Sequence, residues 1–138
     1  MVKLKQNKRK SGSRKTNILV VDDEPNILMS LDFLMKKAGY GVFIARDGAE
    51  ALDIIKVEKP DIIILDIMMP NVDGYEVCQF VKTDKMLSDT KVIFLSAKSK
   101  DEDIKKGYDM GADLYVTKPF STRDLIKEVA QLIPTEDG

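Results

Sequence analysis

The chain contains 138 residues, of which 43% are hydrophobic and 33% are charged, as is typical of one globular domain with its own apolar core. With a single cysteine and no histidine, it lacks the side chains for an internal disulfide, a Ser-His-Asp triad or an imidazole zinc site. No apolar run approaches the roughly 20 residues that a membrane span requires, and no secretion signal follows the basic N-terminus, so we expect a cytoplasmic protein without membrane contact.

Charge is distributed unevenly along the chain. Residues 1–15 carry seven positive charges and no negative ones, which leaves 15 basic against 23 acidic residues, a net charge of −8, in the remainder. We interpret residues 1–15 as a basic, disordered tail and residues 16–138 as one domain. An acidic surface repels polyanions, so we expect no direct nucleic-acid binding by the folded domain, although the tail alone is able to contact phosphates.

From Thr16 onward, short apolar runs rich in β-branched residues alternate with helical patterns. In chain order, the runs predict strands at residues 18–21, 42–45, 62–65, 92–95 and 114–116. The third run is continuously apolar, as expected of a parallel strand that is covered on both faces. Five strands alternating with five helices predict a doubly wound α/β domain with a mainly parallel sheet.

Capping signals predict where the helices begin and end. Pro25 suits the first turn of the first helix, and Gly39 suits its C-terminal stop. A polar fourth helix is predicted near residues 100–110. The other three helices begin at a cap residue with an acidic partner three positions later, namely Asp47 with Glu50, Asp73 with Glu76, and Ser121 with Asp124.

Polar side chains stand at the carboxyl ends of the predicted strands, the edge at which sheets of this class bind ligands. Strand one is followed by two acids, strand three by one, and strands four and five by hydroxyls and an ammonium group. In chain order, these residues are Asp22, Asp23, Asp66, Ser96, Thr117 and Lys118. We therefore expect three carboxylates, a hydroxyl and an ammonium group to converge at one edge of the sheet.

Carboxylates so close together repel one another unless one takes a proton or a hard cation such as Mg²⁺ binds between them. With Mg²⁺ on one side and Ser96 and Lys118 on the other, the edge would hold a phosphoryl group, and Asp66 is the best-placed carboxylate nucleophile. Singly, these residues have ordinary alternatives: Asp23 as a helix cap, Ser96 as a loop hydroxyl and Lys118 as a solvated charge. Their joint placement at consecutive strand ends favours the functional interpretation.

Together these motifs resemble the receiver domains of two-component response regulators over residues 16–133. The resemblance implies a flavodoxin-like fold with a five-stranded parallel sheet in the order 2-1-3-4-5 and five helices. It implies a signalling domain and not an enzyme with turnover. The matching segments are ILVVDDEP at 18–25, DIIILDIMMP at 61–70, Asp73-Gly74, LSA at 95–97 and VTKPF at 116–120.

The resemblance also implies roles for particular residues. Asp66 would accept a phosphoryl group from the phosphohistidine of a sensor histidine kinase or from a phosphotransfer protein. Lys118 would contact that group and Ser96 would donate a hydrogen bond to it. Mg²⁺, or Mn²⁺ in its place, would be bound by Asp22 (through water), Asp23, the Asp66 carboxylate and the backbone carbonyl of Met68.

The same resemblance implies a phosphorylation-switched surface. Tyr115 falls at the family's switch position, where the aromatic ring follows the Ser96 hydroxyl, and the Lys118–Pro119 peptide is expected to be cis. A downstream protein would bind the face formed by the fourth helix, fifth strand and fifth helix, and the chain would be a monomer or a phosphorylation-dependent dimer. Only five residues follow Ile133, so a DNA-binding output is not expected within this sequence.

Other functions remain as alternatives. An aspartate-dependent phosphatase generally needs a second acid two residues after the nucleophile, and Met68 stands there instead. A receiver-shaped interaction module without phosphoryl chemistry would not require the complete polar set at the strand ends. Nucleotide binding is disfavoured because no glycine-rich phosphate loop follows the first strand. Cys78, between Val77 and Val81, is interpreted as a buried hydrophobe.

Overall fold

The computed structural model describes residues 15–134, so the predicted tail at residues 1–15 lies outside the described part except for Lys15. Within that part, the five strands are β1 (Asn17–Val21), β2 (Gly41–Ala45), β3 (Ile62–Leu65), β4 (Lys91–Ser96) and β5 (Leu114–Thr117). The α-helices are α1 (Pro25–Lys37), α2 (Gly48–Glu58), α3 (Gly74–Thr83), α4 (Asp101–Asp109) and α5 (Thr122–Leu132). A short 3₁₀ helix, Lys85–Leu87, was not predicted.

All paired strands are parallel, and the sheet order is β2-β1-β3-β4-β5. This confirms the predicted flavodoxin-like topology. The strands extend one or two residues beyond several predicted ends: Ser96 pairs with Thr117 in the ladder, so both belong to strands and do not follow them. No helix within residues 15–134 is long and apolar enough to cross a membrane.

The sheet has an apolar core on each face because alternate strand residues point in opposite directions. One core packs Leu19, Ile63 and Phe94 against α2 and α3. The other packs strand residues such as Ile64 and Leu95 against α1 and α5. Covering both faces explains why the central strands are continuously apolar in sequence.

Cys78 lies in the first of these cores, where it is fully buried. Burial raises the pKa of its thiol to about 11, which keeps the thiol protonated and unreactive at neutral pH. The interpretation of this residue as a buried hydrophobe is thereby confirmed.

The predicted helix starts are confirmed with two refinements. Asp73 and Glu76 form a complete capping box, and the Ser121 hydroxyl accepts from the Asp124 N–H. Asp47 accepts from the Glu50 N–H as predicted, but the Glu50 carboxylate accepts from the N–H of Arg46 and not from that of Asp47.

In α1, the N-cap residue is Glu24, whose side chain makes no capping bond, so the alternative of Asp23 as the cap is wrong. Pro25 opens this helix as predicted, and Gly39 has a φ of 102°, a conformation that favours glycine after a helix end.

A half-buried ion pair connects α3 with Asp113, the residue that precedes β5. The Lys82 ammonium donates to Asp113 Oδ2 at 2.8 Å and to the Thr90 carbonyl at 2.9 Å. Asp113 Oδ2 also accepts from the Val92 N–H at 2.8 Å. The carboxylate therefore offsets the charge of the Lys82 ammonium and accepts the hydrogen bond of a backbone N–H.

Asp113→Ala is expected to lower the free energy of unfolding by about 2 kcal/mol, because it leaves the Lys82 ammonium and the Val92 N–H without a carboxylate. Urea denaturation measures the change. Asp109→Ala is the matched control, since its ion pair with Lys105 is exposed to solvent and contributes little to stability. Equal effects of the two variants would contradict a special role for Asp113.

Candidate functional site

The sheet brings the predicted polar residues to one edge. Asp22 follows β1 and Asp66 follows β3, and these strands pair in register up to Val21 and Leu65. One carboxylate oxygen from each of Asp22, Asp23 and Asp66 lies within 4.8 Å of the other two. Such a cluster demands positive charge nearby, because three ionised carboxylates repel at this distance.

Lys118 supplies positive charge from the end of β5. Its ammonium lies 2.9 Å from Asp22 Oδ2 and 3.3 Å from Asp66 Oδ2, and its side chain is only 13% exposed. It also lies 2.9 Å from Glu24 Oε1. The sequence interpretation missed Glu24 as a site residue, although it follows the acid pair directly and lies within the matching segment at 18–25. The Lys118–Pro119 peptide is cis, as expected.

The pKa values of Asp22 and Lys118 are shifted by burial and by the charges that surround them. Burial raises the pKa of Asp22, and the charge of Asp66 adds to this, while hydrogen bonds from the Glu24 N–H and from Lys118 oppose it. For Lys118, burial alone lowers the pKa, but hydrogen bonds to Glu24 and Asp22 and the charges of Asp66 and Asp22 outweigh it and raise the pKa overall. The ammonium is therefore firmly protonated, whereas an ionised Asp22 costs free energy that an added cation would offset.

Asp66 is held by the backbone around it and is 7% exposed. Its N–H donates to the Val21 carbonyl, and its Oδ1 accepts from the Met68 N–H at 3.3 Å. Its Oδ2 faces Lys118, as the 3.3 Å ion pair shows. Gly74, the first residue of α3, packs directly on the Asp66 carbonyl and the Ile67 Cα, where a Cβ atom would clash. The Asp66 carboxylate is thus positioned by strand pairing and by a close helix start.

Ser96 and Tyr115 are connected through the backbone of Lys98. Ser96 is fully buried, and its Oγ accepts from the Lys98 N–H at 3.2 Å. The Tyr115 hydroxyl donates to the Lys98 carbonyl at 2.7 Å, and its N–H donates to the Tyr108 hydroxyl at 3.1 Å. Burial raises the pKa of Tyr115 to about 12, so the hydroxyl remains a donor at neutral pH. A short chain of hydrogen bonds therefore runs from Ser96 to α4.

The donor set of this edge suits a hard cation. Mg²⁺ prefers carboxylate, carbonyl and water oxygens, and Asp22, Asp23 and Asp66 offer carboxylate oxygens close together. Lys118 offsets only part of their charge. Because burial already raises the pKa of Asp22, a divalent cation beside it would relieve a real electrostatic cost. The residues present therefore fit the metal that the resemblance implies.

The chain is similar to known proteins in both sequence and structure. A family model described as the response regulator receiver domain matches residues 18–130. The chain is similar to chemotaxis response regulator CheY4 of Vibrio cholerae, with 29% identity over 87% of this chain and 100% of that one, at a TM-score of 0.81. The receiver domain of Francisella response regulator 1452 shows 36% identity over 86% and 96%, with a TM-score of 0.79.

A third similar structure, the BeF3-activated DrrB receiver domain, shows 34% identity over 86% of this chain and 97% of that one, with a TM-score of 0.79. The family model covers well over half of the sequence. The chain belongs to the response regulator receiver domain family. Receiver domains are signalling domains that generally interact with histidine kinases or phosphotransfer proteins, which disfavours the alternative of a classical enzyme.

Proposed function

We propose that Asp66 accepts a phosphoryl group from the phosphohistidine of a sensor histidine kinase or a phosphotransfer protein. One observation supports this above all: in a receiver domain, Asp66 lies within a cluster of three carboxylates and in contact with the Lys118 ammonium. In the transfer, the P–N bond of the donor breaks and a P–O bond to an Asp66 carboxylate oxygen forms. We place this reaction in the cytoplasm.

The hydrogen-bond partners of the site's side chains would change once the phosphoryl group adds negative charge. Before transfer, the Lys118 ammonium is shared between Asp22, Glu24 and Asp66. Once Asp66 carries the phosphoryl group, its own carboxylate charge is lost and the phosphoryl oxygens become the stronger acceptors, so Lys118 contacts them instead. Ser96 donates its hydroxyl hydrogen to another phosphoryl oxygen.

Mg²⁺, or Mn²⁺ in its place, would be held by Asp23, Asp66 and the backbone carbonyl of Met68. Asp22 would bind the metal through a water molecule. When bound, the metal would offset negative charge on the phosphoryl oxygens. The Met68 N–H already donates to Asp66 Oδ1, which fixes the orientation of the carboxylate before any donor arrives. This hydrogen bond thus orients the Asp66 carboxylate for attack on phosphorus.

Intact mass after incubation with acetyl phosphate and Mg²⁺ tests the proposal. We expect one added phosphoryl group, which is lost in Asp66→Asn and on chelation of Mg²⁺. Circular dichroism of each sample checks that it is folded. No mass gain with either acetyl phosphate or a phosphohistidine donor protein would overturn the proposal and leave a receiver-shaped interaction module. Labelling of folded Asp66→Asn would show that another residue is the acceptor.

We further propose that phosphorylation changes the face formed by α4, β5 and α5, and that a downstream protein binds this face. The hydrogen bonds from Ser96 through Lys98 to Tyr115 and Tyr108 connect the site with it. If Ser96 turns toward the phosphoryl group, its bond to Lys98 is released and the position of Tyr115 is biased. Beryllofluoride, which mimics an aspartyl phosphate, should shift amide resonances at Tyr108 and Tyr115.

Gly107→Ala is expected to disturb this face without phosphorylation. A Cβ atom at Gly107 would lie 2.6 Å from Tyr115 Cδ2 and 3.2 Å from Phe94 Cδ2, so the ring must move or α4 must shift. We expect the free energy of unfolding to fall by about 2 kcal/mol and the Lys98 and Tyr115 amide resonances to shift. Glu102→Ala, on the exposed side of α4, is the control. Unchanged resonances in Gly107→Ala would contradict the close packing of helix and ring.

A further inference from the structure

A cleft of about 520 Å³ opens beside Asp66, between the loop after β3 and the helix α4. Its walls combine apolar side chains with two lysines and one acid. The residues that line it are Ile67, Met68, Met69, Asp73, Tyr75, Lys98 and Lys106. None of the roles proposed above uses the space itself.

The two lysines of the cleft are not neutralised by a close ion pair within residues 15–134. Lys106 Nζ lies 4.2 Å from the centroid of the Tyr75 ring, and within residues 15–134 no carboxylate is at ion-pair distance from it. Lys98 Nζ has only a long contact of 3.9 Å with Asp103 Oδ1. The acid of the cleft, Asp73, caps α3 and keeps its negative charge, so the lining carries two positive charges and one negative charge. This net positive charge lies beside the exposed side chain of Met68, a combination that suits an organic anion with a flat apolar body.

The cleft is continuous with the reacting carboxylate. Met68, whose side chain is 59% exposed in the cleft mouth, donates its N–H to Asp66 Oδ1. Lys98 donates its N–H to Ser96 Oγ. Met68 and Lys98 therefore contact Asp66 and Ser96, the two residues that would bind the phosphoryl group. In an in-line displacement, the leaving group lies opposite the attacking oxygen and must find space outside the charged cluster around Lys118.

We propose that this cleft holds the leaving group of a small-molecule phosphodonor, and that the chain accepts phosphoryl from aromatic acyl phosphates in preference to acetyl phosphate. The inference rests on Asp66 being the phosphoacceptor. The aromatic acyl group packs on the exposed side chain of Met68. The carboxylate that it becomes lies within reach of the Lys98 and Lys106 ammonium groups, which offset its charge as it forms.

The step balances without a co-reactant. An Asp66 carboxylate oxygen attacks phosphorus, the bond between phosphorus and the acyl oxygen breaks, and its electron pair leaves with the acyl carboxylate. No proton is transferred, which agrees with a cleft whose cations are lysines and which offers no histidine. Phosphoramidate, with no acyl group, gains nothing from the cleft and serves as an internal reference donor.

Initial rates of Asp66 phosphorylation with benzoyl phosphate, acetyl phosphate and phosphoramidate, measured by intact mass, test the proposal. Dividing each rate by the donor's rate of hydrolysis at phosphorus, in the same buffer without protein, removes intrinsic differences. We expect benzoyl phosphate to exceed acetyl phosphate by about fivefold, the gain expected from burying part of one aromatic ring. In Lys106→Gln, this ratio should fall toward one while the phosphoramidate rate is unchanged.

Lys105→Gln is the matched control. It removes a lysine from the same helix, but one that is 77% exposed and paired with Asp109, so the ratio should persist. A ratio near one in the unaltered protein, or a ratio that survives in Lys106→Gln, overturns the inference while labelling by acetyl phosphate keeps Asp66 as the acceptor. Absence of labelling with every donor overturns the phosphoacceptor proposal, and this inference with it.

Discussion

Lys118→Gln is expected to slow phosphorylation of Asp66 by about 100-fold or more, since removing one preorganised charge from a developing phosphoryl oxyanion typically costs this much. The physical basis is the position of the ammonium, in contact with Asp22, Glu24 and Asp66 and largely shielded from water. Glutamine keeps a hydrogen-bond donor but loses the charge. Initial rates by intact mass, with acetyl phosphate and saturating Mg²⁺, measure the effect.

Two comparisons separate the charge of Lys118 from general effects. Lys36→Gln removes an exposed lysine of α1 that pairs with Asp32, and its rate should match that of the unaltered protein. Glu24→Gln removes the exposed partner of Lys118, and because exposed ion pairs contribute little, we expect less than about a fivefold change. A Lys118→Gln rate close to the Lys36→Gln rate, in folded protein, would exclude the proposed role of the ammonium.

Gly74→Ala is expected to lower the free energy of unfolding by about 3 kcal/mol, within the range found for overpacking in a well-packed interior. A Cβ atom at Gly74 would overlap the Asp66 carbonyl oxygen and lie 2.7 Å from the Ile67 Cα. Both are backbone atoms, so no flexible side chain is able to yield. Relief requires α3 or the segment carrying Asp66 to move, and phosphorylation should slow as well.

Urea denaturation and labelling by acetyl phosphate measure the two effects in the same samples. Gln79→Ala, on the exposed side of α3, is the control for an added helix-favouring alanine and should be neutral or slightly stabilising. If Gly74→Ala proved as stable and as reactive as Gln79→Ala, the close approach of α3 would not constrain the Asp66 carboxylate.

Much of the fold was predictable from the sequence because its signals are local. The apolar runs predicted all five strands to within one or two residues, since each central strand buries both faces. Cap residues such as Asp73 predicted helix starts because a side chain satisfies backbone groups only two or three residues away. Asp22, Asp66 and Lys118 were predicted to meet because parallel strands share one carboxyl edge, a rule of topology that needs no side-chain detail.

The contacts that the sequence did not reveal join residues far apart. Lys118 meets Glu24 across 94 residues, and Lys82 meets Asp113 across 31. No periodicity or spacing in the sequence identifies either pair. Any lysine is able to pair with any carboxylate, and only tertiary packing decides which ones meet. The same holds for Gly107, whose missing side chain makes room for the Tyr115 ring.

The sequence by itself therefore determined the order of elements, the doubly wound parallel sheet and the chemical composition of the site, because hydrophobic periodicity, capping and strand-end placement are encoded within short segments. The strand order within the sheet came from the resemblance to receiver domains. Only the tertiary structure decided which carboxylates Lys118 contacts, how Ser96 and Tyr115 join through Lys98, and that Met68, Lys98 and Lys106 line an open cleft beside Asp66. Those arrangements depend on how helices and loops from distant parts of the chain pack together.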